Sequence, residues 1–534
     1  MKLKFTALLV FMVLLLAACS SNESKKVNNE ESTQEKTKVT EEASNLNGIQ
    51  TVDTKILTGN EFTIVAKEAK HQINSKVTVN AWTFNGSVPG SQIRVKEGEK
   101  VKINFKNELP EPTSIHWHGI TVPNEMDGIP GVTQNAVQPG ETFTYEFTAS
   151  VPGTYMYHTH QNAVNQLDKG LYGSVIVEPK EKTYDRDYTL MLDEWMSNPE
   201  KSMSNMEGMD QSNMGNMEGM DHSNMSTTDA DTSAEDQENS NNNMGHNMSN
   251  YDIFTINGRS GDAIEPLKVK EGETVRIRLA NIGYLSHNIH LHGHNFKVVA
   301  IDGQELNAPQ EIKDQLISIA PGERYDIEFT ANNPGEWYLE CHGDMEGSDG
   351  MKTKIQYEGN NDSKDESNQN ESLPIFNYTN YGSTQNEGFT LDQDYDVEYT
   401  MDLNGNNTDN IWTINGKSFP DIDGLTIKKG DLVKVKLVNN SPTGVNHPMH
   451  LHGHSFQILS KNGRPLDGSP IVKDTINLEP GDEYVVAFEA DNPGNWLFHC
   501  HDLHHATAGM VDIIKYDGFQ PNFTVDPNAN NKPE

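Results

Sequence analysis

The chain repeats one pattern three times, and this repeat constrains its fold more than any other feature of the sequence. Each copy opens with an aromatic residue, Thr, an apolar residue and Asn-Gly, at residues 82–86, 254–258 and 412–416. A charged turn, a His-x-His-Gly segment and a Pro-Gly turn before a strand follow in the same order each time. Because the features keep their order, we expect three domains of one fold, each of roughly 100 to 130 residues.

The local patterns of the chain are those of β-strands. Its 534 residues include 42 Gly and 24 Pro, and short runs of Val, Ile, Thr, Tyr and Phe end in turn sequences. Residues 100–105 alternate between polar and apolar side chains, which is typical of a half-buried strand. This predicts an all-β chain of three tandem Greek-key β-sandwich domains. The net charge of −37 disfavours nucleic acid as a partner and favours cations.

The N-terminus has the pattern of an export signal. Lys2 and Lys4 precede an apolar run at 5–18 that is too short to span a membrane comfortably. The run is followed by Cys19, in a Leu-Ala-Ala-Cys sequence that resembles a bacterial lipoprotein cleavage box with Cys19 as the lipidated residue. The alternative is an ordinary signal peptide with a chance cysteine. We expect an extracytoplasmic protein, anchored through an N-terminal lipid to the outer face of the bacterial cell membrane.

The domain boundaries follow from the repeat and from changes in composition. We expect a signal peptide at 1–18, a disordered tether at 19–49, a first domain at 50–180, a linker with a Met-rich insert at 181–250, a second domain at 251–358, a polar linker at 359–392, a third domain at 393–517 and a C-terminal tail at 518–534. The second domain carries a degenerate version of the metal-binding pattern.

The segment His499-Cys500-His501, with His505 and Met510 downstream, has the ligands of a soft, redox-active metal. A thiolate, imidazoles and a weak axial thioether describe a blue-copper electron-transfer site, and a histidine-rich segment upstream supplies further imidazoles. Successive side chains of a strand point to opposite faces, so Cys500 faces one way and both neighbouring histidines the other. The chain has three cysteines, so Cys500 is better explained as a metal ligand than as half of a disulfide.

Four pairs of alternating histidines lie in the first and third copies, and each pair shares one face of its strand. The pairs are His116 and His118, His158 and His160, His450 and His452, and His499 and His501. If the end copies pack against each other, the eight imidazoles converge at their interface, which suits three metal ions. Zinc is the alternative metal, but it has no redox chemistry and favours four-coordinate sites, so copper is the better explanation.

Residues 50–517 resemble a three-domain multicopper oxidase, the family of laccases and bacterial copper oxidases, which is built from cupredoxin domains. The resemblance rests on the four histidine segments, which match the family's copper motifs in order. It implies four coppers per chain. The implied ligands are His447, Cys500, His505 and axial Met510 for the type 1 copper, His116 and His450 for the type 2 copper, and His118, His158, His160, His452, His499 and His501 for the type 3 pair.

The resemblance also implies the reaction. The chain is expected to couple one-electron oxidation of Cu(I) or phenolic compounds to the four-electron reduction of O2 to water, in copper tolerance. Four one-electron metals can hold the four electrons that O2 requires, while the protein fixes geometry and access. Two other functions stay open from the sequence. One is a copper-sequestering lipoprotein without turnover, and the other is a copper nitrite reductase, for which the type 3 ligands would be surplus.

Asp127 follows the first histidine motif, within an Asn-Glu-Met-Asp-Gly sequence. It matches an acidic residue that assists O2 reduction in the family, so it is a candidate proton donor. The alternative is a plain Asp-Gly turn. Some bacterial relatives carry a glutamate just after the last type 1 histidine, where this chain has Ala506.

The middle copy keeps only part of the type 1 pattern. His287, Cys341 and Met351 stand where the third copy has its type 1 histidine, cysteine and methionine, but Glu340 and Glu346 replace two histidines. One interpretation is a vestige in which Cys341 is a small buried residue. The other is a fifth, imperfect copper site at His287, Cys341 and Met351.

The segment between the first and second copies is rich in methionine in a hydrophilic setting, and an eleven-residue unit repeats within it. Methionine in such a context does not form a core. The segment is either a disordered linker with incidental methionines or a transient binder of Cu(I) or Ag(I), because thioether is a soft ligand. Its candidate ligands are Met206, Met209, Met214, Met217, Met220, His222 and Met225.

Overall fold

The computed structural model describes residues 49–197, 250–343, 347–359, 372–384, 388–406, 410–441 and 445–533. Over these residues the chain is mostly β-structure, as the sequence predicts, in three β-sandwiches that follow one another along the chain. We call them the first, second and third sandwich. No helix in the described ranges is long and apolar enough to cross a membrane. The predicted signal, Cys19 and the Met-rich candidate ligands lie outside the described residues.

The first sandwich is made of eight strands. They are β1 (Ile56–Thr58), β2 (Glu61–Gln72), β3 (Thr78–Phe84), β4 (Gln92–Lys96), β5 (Lys100–Asn107), β6 (Thr142–Thr148), β7 (Gly153–His158) and β8 (Tyr172–Glu178). They form two sheets, in the orders β1-β4-β8-β7 and β3-β2-β5-β6. Buried and part-exposed side chains alternate along β5, as its sequence predicts, because one face packs on the core. A short helix, α1 (Ala163–Leu167), follows β7, and a 3-10 turn spans Asn124–Met126.

The second sandwich has a six-stranded and a five-stranded sheet. Its strands are β9 (Arg186–Trp195), β10 (Ile253–Ile256), β11 (Leu267–Val269), β12 (Thr274–Asn281), β13 (His287–Leu291), β14 (Phe296–Ile301), β15 (Gln304–Glu305), β16 (Ile317–Ile319), β17 (Arg324–Thr330), β18 (Glu336–Cys341) and β19 (Lys352–Tyr357). Two 3-10 turns lie between these strands, at Gly261–Ala263 and Ser348–Gly350. A third, Tyr378–Asn380, lies in the segment after β19. The sheets run in the orders β10-β9-β12-β17-β14-β15 and β11-β19-β18-β13-β16.

The first part of the segment predicted as a linker, residues 181–250, contains a β-strand in the structure. Strand β9 lies inside the six-stranded sheet, parallel to β12 and antiparallel to β10. The second sandwich therefore takes its first strand from before the Met-rich insert. The sequence missed this strand because the repeat pattern begins only after the insert, whereas sheet pairing joins segments that are distant in the chain.

The third sandwich has a seven-stranded and a five-stranded sheet. Its strands are β20 (Val397–Asn406), β21 (Ile411–Ile414), β22 (Leu425–Ile427), β23 (Leu432–Asn439), β24 (His447–Leu451), β25 (Phe456–Lys461), β26 (Arg464–Pro465), β27 (Ile471–Lys473), β28 (Thr475–Leu478), β29 (Glu483–Glu489), β30 (Asn495–Cys500) and β31 (Val511–Tyr516). The smaller sheet runs β22-β31-β30-β24-β28 and carries the histidine segments on its two central strands. A short helix, α2 (Leu503–Thr507), joins β30 to β31.

The Asn-Gly turn that opens each copy has the same conformation in all three sandwiches. Asn85, Asn257 and Asn415 have φ angles of 59°, 52° and 54°, and the following glycines also have positive φ. Asparagine and glycine tolerate this left-handed region, which a tight hairpin turn requires. Each asparagine side chain also accepts a hydrogen bond from a backbone N–H of the neighbouring strand, at 2.8 to 2.9 Å. The sequence repeat is therefore a structural repeat as well.

The C-terminal segment packs on the first sandwich. The side chain of Gln161 donates a hydrogen bond to the Asn530 carbonyl at 2.7 Å and accepts one from the Lys532 backbone N–H at 2.8 Å. The residues predicted as a tail at 518–534 therefore extend from the third sandwich to the first. This contact ties together the two sandwiches whose histidines are predicted to meet.

Candidate metal centres

The structure brings the eight paired histidines together between the first and third sandwiches. Each is at most 1% exposed, and they are His116, His118, His158, His160, His450, His452, His499 and His501. The closest ring contacts cross between the sandwiches. The rings of His118 and His450 stack with centroids 3.8 Å apart, and those of His116 and His452 with centroids 4.0 Å apart. The interface is thus a single cluster of imidazoles.

Strand register produces this arrangement. On β24 and β30, His450 lies directly opposite His499, and in the first sandwich His116 forms a β-bridge with His158. Neighbouring strands lie about 4.8 Å apart, so paired side chains on one face are within contact distance. The first and the third sandwich therefore each present four imidazoles on one patch.

Six of the imidazoles fall into two groups of three. His160, His452 and His499 have ligand atoms within 4.8 Å of one another. The rings of His118, His158 and His501 have mutual centroid distances of 4.9, 5.5 and 5.6 Å. Each group draws from both sandwiches, so neither sandwich could form it alone.

The two remaining rings, those of His116 and His450, lie 5.8 Å apart between centroids, beside the groups of three. Ring contacts also link His116 to His158, His160 and His452, so the eight imidazoles form one connected cluster that can accommodate sets of two, three and three.

Backbone carbonyls fix several of these rings from outside the cluster. The Nδ1–H groups of His158, His499 and His116 donate to the carbonyls of Thr159, Cys500 and Asp127, at 2.8, 2.9 and 2.9 Å. A ring nitrogen that donates outward leaves the other nitrogen with its lone pair, ready to ligate a metal. The backbone thus selects Nε2 as the inward-facing atom on these three rings.

Two buried carboxylates each contact one histidine from the first sandwich and one from the third. Asp127 Oδ2 lies 3.0 Å from His452 Nδ1, and its Oδ1 lies 3.3 Å from His116 Nδ1. Asp474 Oδ1 lies 3.3 Å from His118 Nε2 and 3.4 Å from His450 Nδ1. Such carboxylates orient metal-binding imidazoles and raise their basicity. Asp127 therefore has a positioning contact; its role as a proton donor stays a prediction.

Asp474 is held by an arginine from the second sandwich. Arg324 on β17 bonds both Asp474 oxygens, at 2.7 and 2.6 Å, and its Nε–H donates to the Thr154 carbonyl of the first sandwich at 3.2 Å. Burial raises the pKa of Asp474, but the Arg324 charge outweighs burial and holds that pKa well below its usual range. Sequence reasoning missed both residues because neither lies in a recognisable motif.

Burial prepares the cluster to bind metal. Loss of solvation lowers the pKa of His158 to about 3, and it lowers the pKa of His118, His452 and His501 well below the usual range. These four rings are therefore neutral bases at neutral pH. Within the described part of the chain, Nε2 of His116 and of His450 and both nitrogens of His501 have no hydrogen-bond partner. Buried, unpaired lone pairs are costly, and metal ions satisfy them, so the cluster fits copper.

The type 1 ligands predicted from the sequence form a second buried group. Cys500 Sγ lies 3.8 Å from His447 Nδ1 and 3.6 Å from His505 Nδ1. The five-residue helix α2 brings His505 back towards the sulfur, and Asp502 caps it by accepting from the His504 backbone N–H. Met510 is fully buried, and its carbonyl accepts from the Cys500 N–H at 3.1 Å.

The outer nitrogens of the two type 1 histidines also have partners. His447 Nε2 lies 2.7 Å from Ser441 Oγ, and His505 Nε2 lies 3.4 Å from Asp502 Oδ2. Both Nδ1 atoms therefore face the sulfur. Burial raises the pKa of the Cys500 thiol well above its usual range, so the thiolate needs a bound cation. A soft, electron-accepting ion such as copper fits this ligand set.

A cavity of about 370 Å³ opens beside His505. It lies between the second and third sandwiches, and its lining includes Tyr284, Trp412, Asp502, His504 and His505. The Trp412 ring packs on the His505 ring with centroids 3.8 Å apart. The cavity therefore gives a small molecule access to a type 1 ligand.

The incomplete type 1 pattern of the second sandwich folds like its counterpart but has a different partner. Cys341 Sγ lies 3.8 Å from His287 Nδ1, and His287 Nε2 lies 2.9 Å from the buried carboxylate of Glu194. Burial lowers the pKa of His287, but Glu194 outweighs it and raises that pKa to about 10. Glu194 therefore holds His287 in a buried ion pair, which favours the vestige interpretation. Glu346 lies outside the described residues.

Comparisons with known proteins agree with this geometry. Multicopper oxidase family models match residues 65–182, 231–360 and 392–516. Multicopper oxidase MmcO of Mycobacterium tuberculosis is 32% identical over 450 residues, which cover 82% of this chain and 83% of that protein. Copper resistance protein A of Escherichia coli is 25% identical over 580 residues, covering 86% and 93%. The crystal structure of a multi-copper oxidase from Pseudomonas thermotolerans has a TM-score of 0.61 and 26% identity, covering 86% of this chain and 100% of that one.

The fold and the two buried ligand sets define a copper-dependent redox enzyme. The chain belongs to the multicopper oxidase family, as the resemblance of its histidine segments predicts. It is accordingly an oxidoreductase with O2 as the acceptor and four coppers, one of type 1, one of type 2 and two of type 3. The alternatives of a sequestering lipoprotein and of a nitrite reductase are not favoured by these matches.

Proposed function

We propose that this chain oxidises Cu(I) and phenolic compounds, outside the cytoplasm, in copper tolerance. The observation that carries the proposal is the segment His499-Cys500-His501 at the end of β30. Its cysteine lies in one buried ligand set, and its two histidines lie in the other. The covalent path from the sulfur to the two rings is only a few bonds long. Similarity to copper resistance protein A supports a role in copper tolerance.

The proposed ligand assignment is the one that the family resemblance implies, and the two groups of three histidines described above support it. His447, Cys500, His505 and Met510 hold the type 1 copper, and His116 and His450 the type 2 copper. The type 3 pair is held by one group of His118, His158 and His501 and another of His160, His452 and His499. When bound, the four coppers supply four one-electron carriers, which matches the four electrons that convert O2 to two waters. Asp127 and Asp474 keep the rings in place during this reaction.

The cavity beside His505 is the proposed donor site. The part-exposed side chains of Leu285 and Val445 offer apolar contact to a phenol, and Asp502 offers a carboxylate to a cation such as Cu(I). Asp502 is largely buried, so its attraction is weakly screened by solvent. An electron donor in this cavity lies next to a ring that contacts Cys500 Sγ.

The deciding experiment measures copper content, visible and near-UV absorption, and O2 uptake with Cu(I), Fe(II) and a phenol. We expect four coppers per chain and O2 uptake with both Cu(I) and the phenol. A fully copper-loaded sample that takes up no O2 with any donor would contradict the proposal and favour sequestration. Uptake with the phenol alone would remove Cu(I) from it.

The Met-rich segment is proposed to capture Cu(I) before oxidation. Deleting residues 198–249 is expected to lower Cu(I) oxidation severalfold at low copper while phenol oxidation stays within about twofold, because thioethers bind Cu(I) but not phenols. The control replaces the same residues by a Gly-Ser linker of equal length, which separates loss of methionine from shortening of the chain. Equal loss of both activities would remove this role.

Lipid anchoring at Cys19 is proposed from the cleavage-box sequence. In a bacterial host, Cys19→Ser is expected to move the protein from the membrane fraction to a released soluble form, while its specific activity in the assay is kept. Cys341→Ser is the control, since Cys341 is buried in the second sandwich. Membrane retention of the Cys19 variant would show that the lipid is not the anchor.

A further inference from the structure

We propose a fifth metal site, for a single Cu(II) ion, on the second sandwich at His290, His292, His342 and Glu340. This site is separate from the type 1, type 2 and type 3 ligands and from the incomplete type 1 pattern at His287, Cys341 and Met351. The proposal does not depend on the identity of the electron donor.

The fold places these four residues where the third sandwich has half of its histidine cluster. On β13 and β18, His290 lies opposite Glu340, as His450 lies opposite His499 on β24 and β30. His292 follows β13 at the end of the same His-x-His-Gly segment, and His342 follows β18. The second sandwich therefore presents three imidazoles and a carboxylate on one patch.

The distances within this patch suit one ion. The ring centroids of His290 and His292 are 4.1 Å apart, those of His290 and His342 5.1 Å, and those of His292 and His342 5.6 Å. One ring nitrogen from each of the three histidines lies within 4.8 Å of the others. Glu340 Oε1 lies 2.7 Å from His292 Nε2 and 3.9 Å from His342 Nε2. The histidines of the first sandwich are already packed against the third, so the patch offers ligands for a mononuclear site rather than for a three-metal cluster.

An unpartnered buried side chain points to a ligand at this patch. His290 is 4% exposed, and within the described residues neither of its ring nitrogens has a hydrogen-bond partner. Burying an imidazole in this way is costly unless something binds its lone pair. The His342 side chain is 6% exposed and is followed by the exposed Gly343, so the patch lies just beneath the surface.

Glu340 provides an oxygen at the same place. Its Oε1 lies 2.7 Å from His292 Nε2, while its Oε2 is paired with Lys352 Nζ at 2.9 Å. Lys352 therefore fixes the carboxylate through one oxygen and leaves the other beside the imidazoles. In the third sandwich the equivalent position is His499, so this patch has exchanged a neutral nitrogen donor for an anionic oxygen donor.

The donor set selects the ion. Three imidazoles and one carboxylate oxygen, without thiolate or thioether, favour a divalent borderline ion over Cu(I). Cu(II) binds such sites more tightly than the other divalent first-row ions, including zinc, in the Irving–Williams order. We therefore assign the site to Cu(II), with zinc as the weaker competitor.

The test titrates the full-length, four-copper enzyme with Cu(II) and measures tightly retained copper per chain and the EPR spectrum. We expect one additional Cu(II), with nitrogen hyperfine splitting and without thiolate absorption. The double variant His290→Ala/His292→Ala and the single variant His342→Gln should each lose this one ion. Their visible absorption and phenol turnover should match the unchanged chain, because none of these residues belongs to the assigned oxidase ligands.

Cys341→Ser is the matched control, because it removes a ligand of the incomplete type 1 pattern and leaves the proposed patch intact. It should retain the additional Cu(II). The proposal is overturned if no additional Cu(II) is retained, if the histidine variants retain it, or if Cys341→Ser loses it. Competition with Zn(II) should displace the ion only at a large excess, and displacement at parity would overturn the assignment to copper.

Discussion

Replacing Cys500 by serine is expected to abolish the intense visible absorption and to lower O2-coupled turnover about a thousandfold, or ~4 kcal/mol in activation free energy. Serine is close to cysteine in size, so β30 and its neighbours should keep their positions. A hydroxyl, however, is neither soft nor easily ionised, so it does not replace the thiolate. Copper content should fall from four ions per chain to three, because the interface histidines are untouched.

The control for this variant lies within the same chain. Cys341→Ser changes the equivalent residue of the second sandwich, whose sulfur also lies 3.8 Å from a histidine Nδ1. It should keep the visible absorption and the turnover of the unchanged protein. Loss of the visible band in the Cys341 variant, or its persistence in the Cys500 variant, would show that the two sites have been assigned the wrong way round.

Replacing Arg324 by methionine is expected to destabilise the protein by about 3 to 5 kcal/mol and to deplete the copper cluster between the sandwiches. Arg324 is fully buried and bonds both oxygens of Asp474. Removing it leaves an unpaired carboxylate in the interior. Because Asp474 also contacts His118 and His450, both rings should lose their fixed orientation. Denaturant unfolding of the copper-free protein measures the first effect, and copper analysis the second.

Arg186→Met gives the matched control. Arg186 also bonds both oxygens of a carboxylate, that of Glu273, at 2.9 and 3.0 Å, but the pair is partly open to solvent, with side chains 28% and 19% exposed. Ion pairs that solvent reaches contribute about 1 kcal/mol, so this variant should lose much less stability than the Arg324 variant and keep its copper content. Equal effects of the two substitutions would mean that Arg324 acts as an ordinary ion pair and does not support the cluster. Arg324→Lys should be intermediate, because an ammonium cannot bond both oxygens in the same geometry.

The repeat, the turns and the strand patterns are local properties, and the sequence predicted them well. The three Asn-Gly turns adopt one conformation because asparagine and glycine tolerate positive φ wherever they occur. Buried and more exposed side chains alternate along β5 as expected, because successive side chains of a strand point to opposite faces. Strand β9 was missed, because nothing in its own residues records that it pairs with β10 beyond the insert.

The sequence by itself determined the three sandwiches. It also determined that paired histidines share a face and that Cys500 points to the opposite face from its two neighbouring histidines. Each of these features depends on residues a few positions apart. Only the tertiary structure decided that the two end sandwiches meet, so that their imidazoles form one cluster, and which carboxylates contact that cluster. Asp474 meets His118, Arg324 meets Asp474, and Glu194 meets His287 across hundreds or scores of residues. Such contacts arise from how whole sandwiches pack against one another. Packing between distant segments produces no periodic pattern of residues that could be recognised in the sequence.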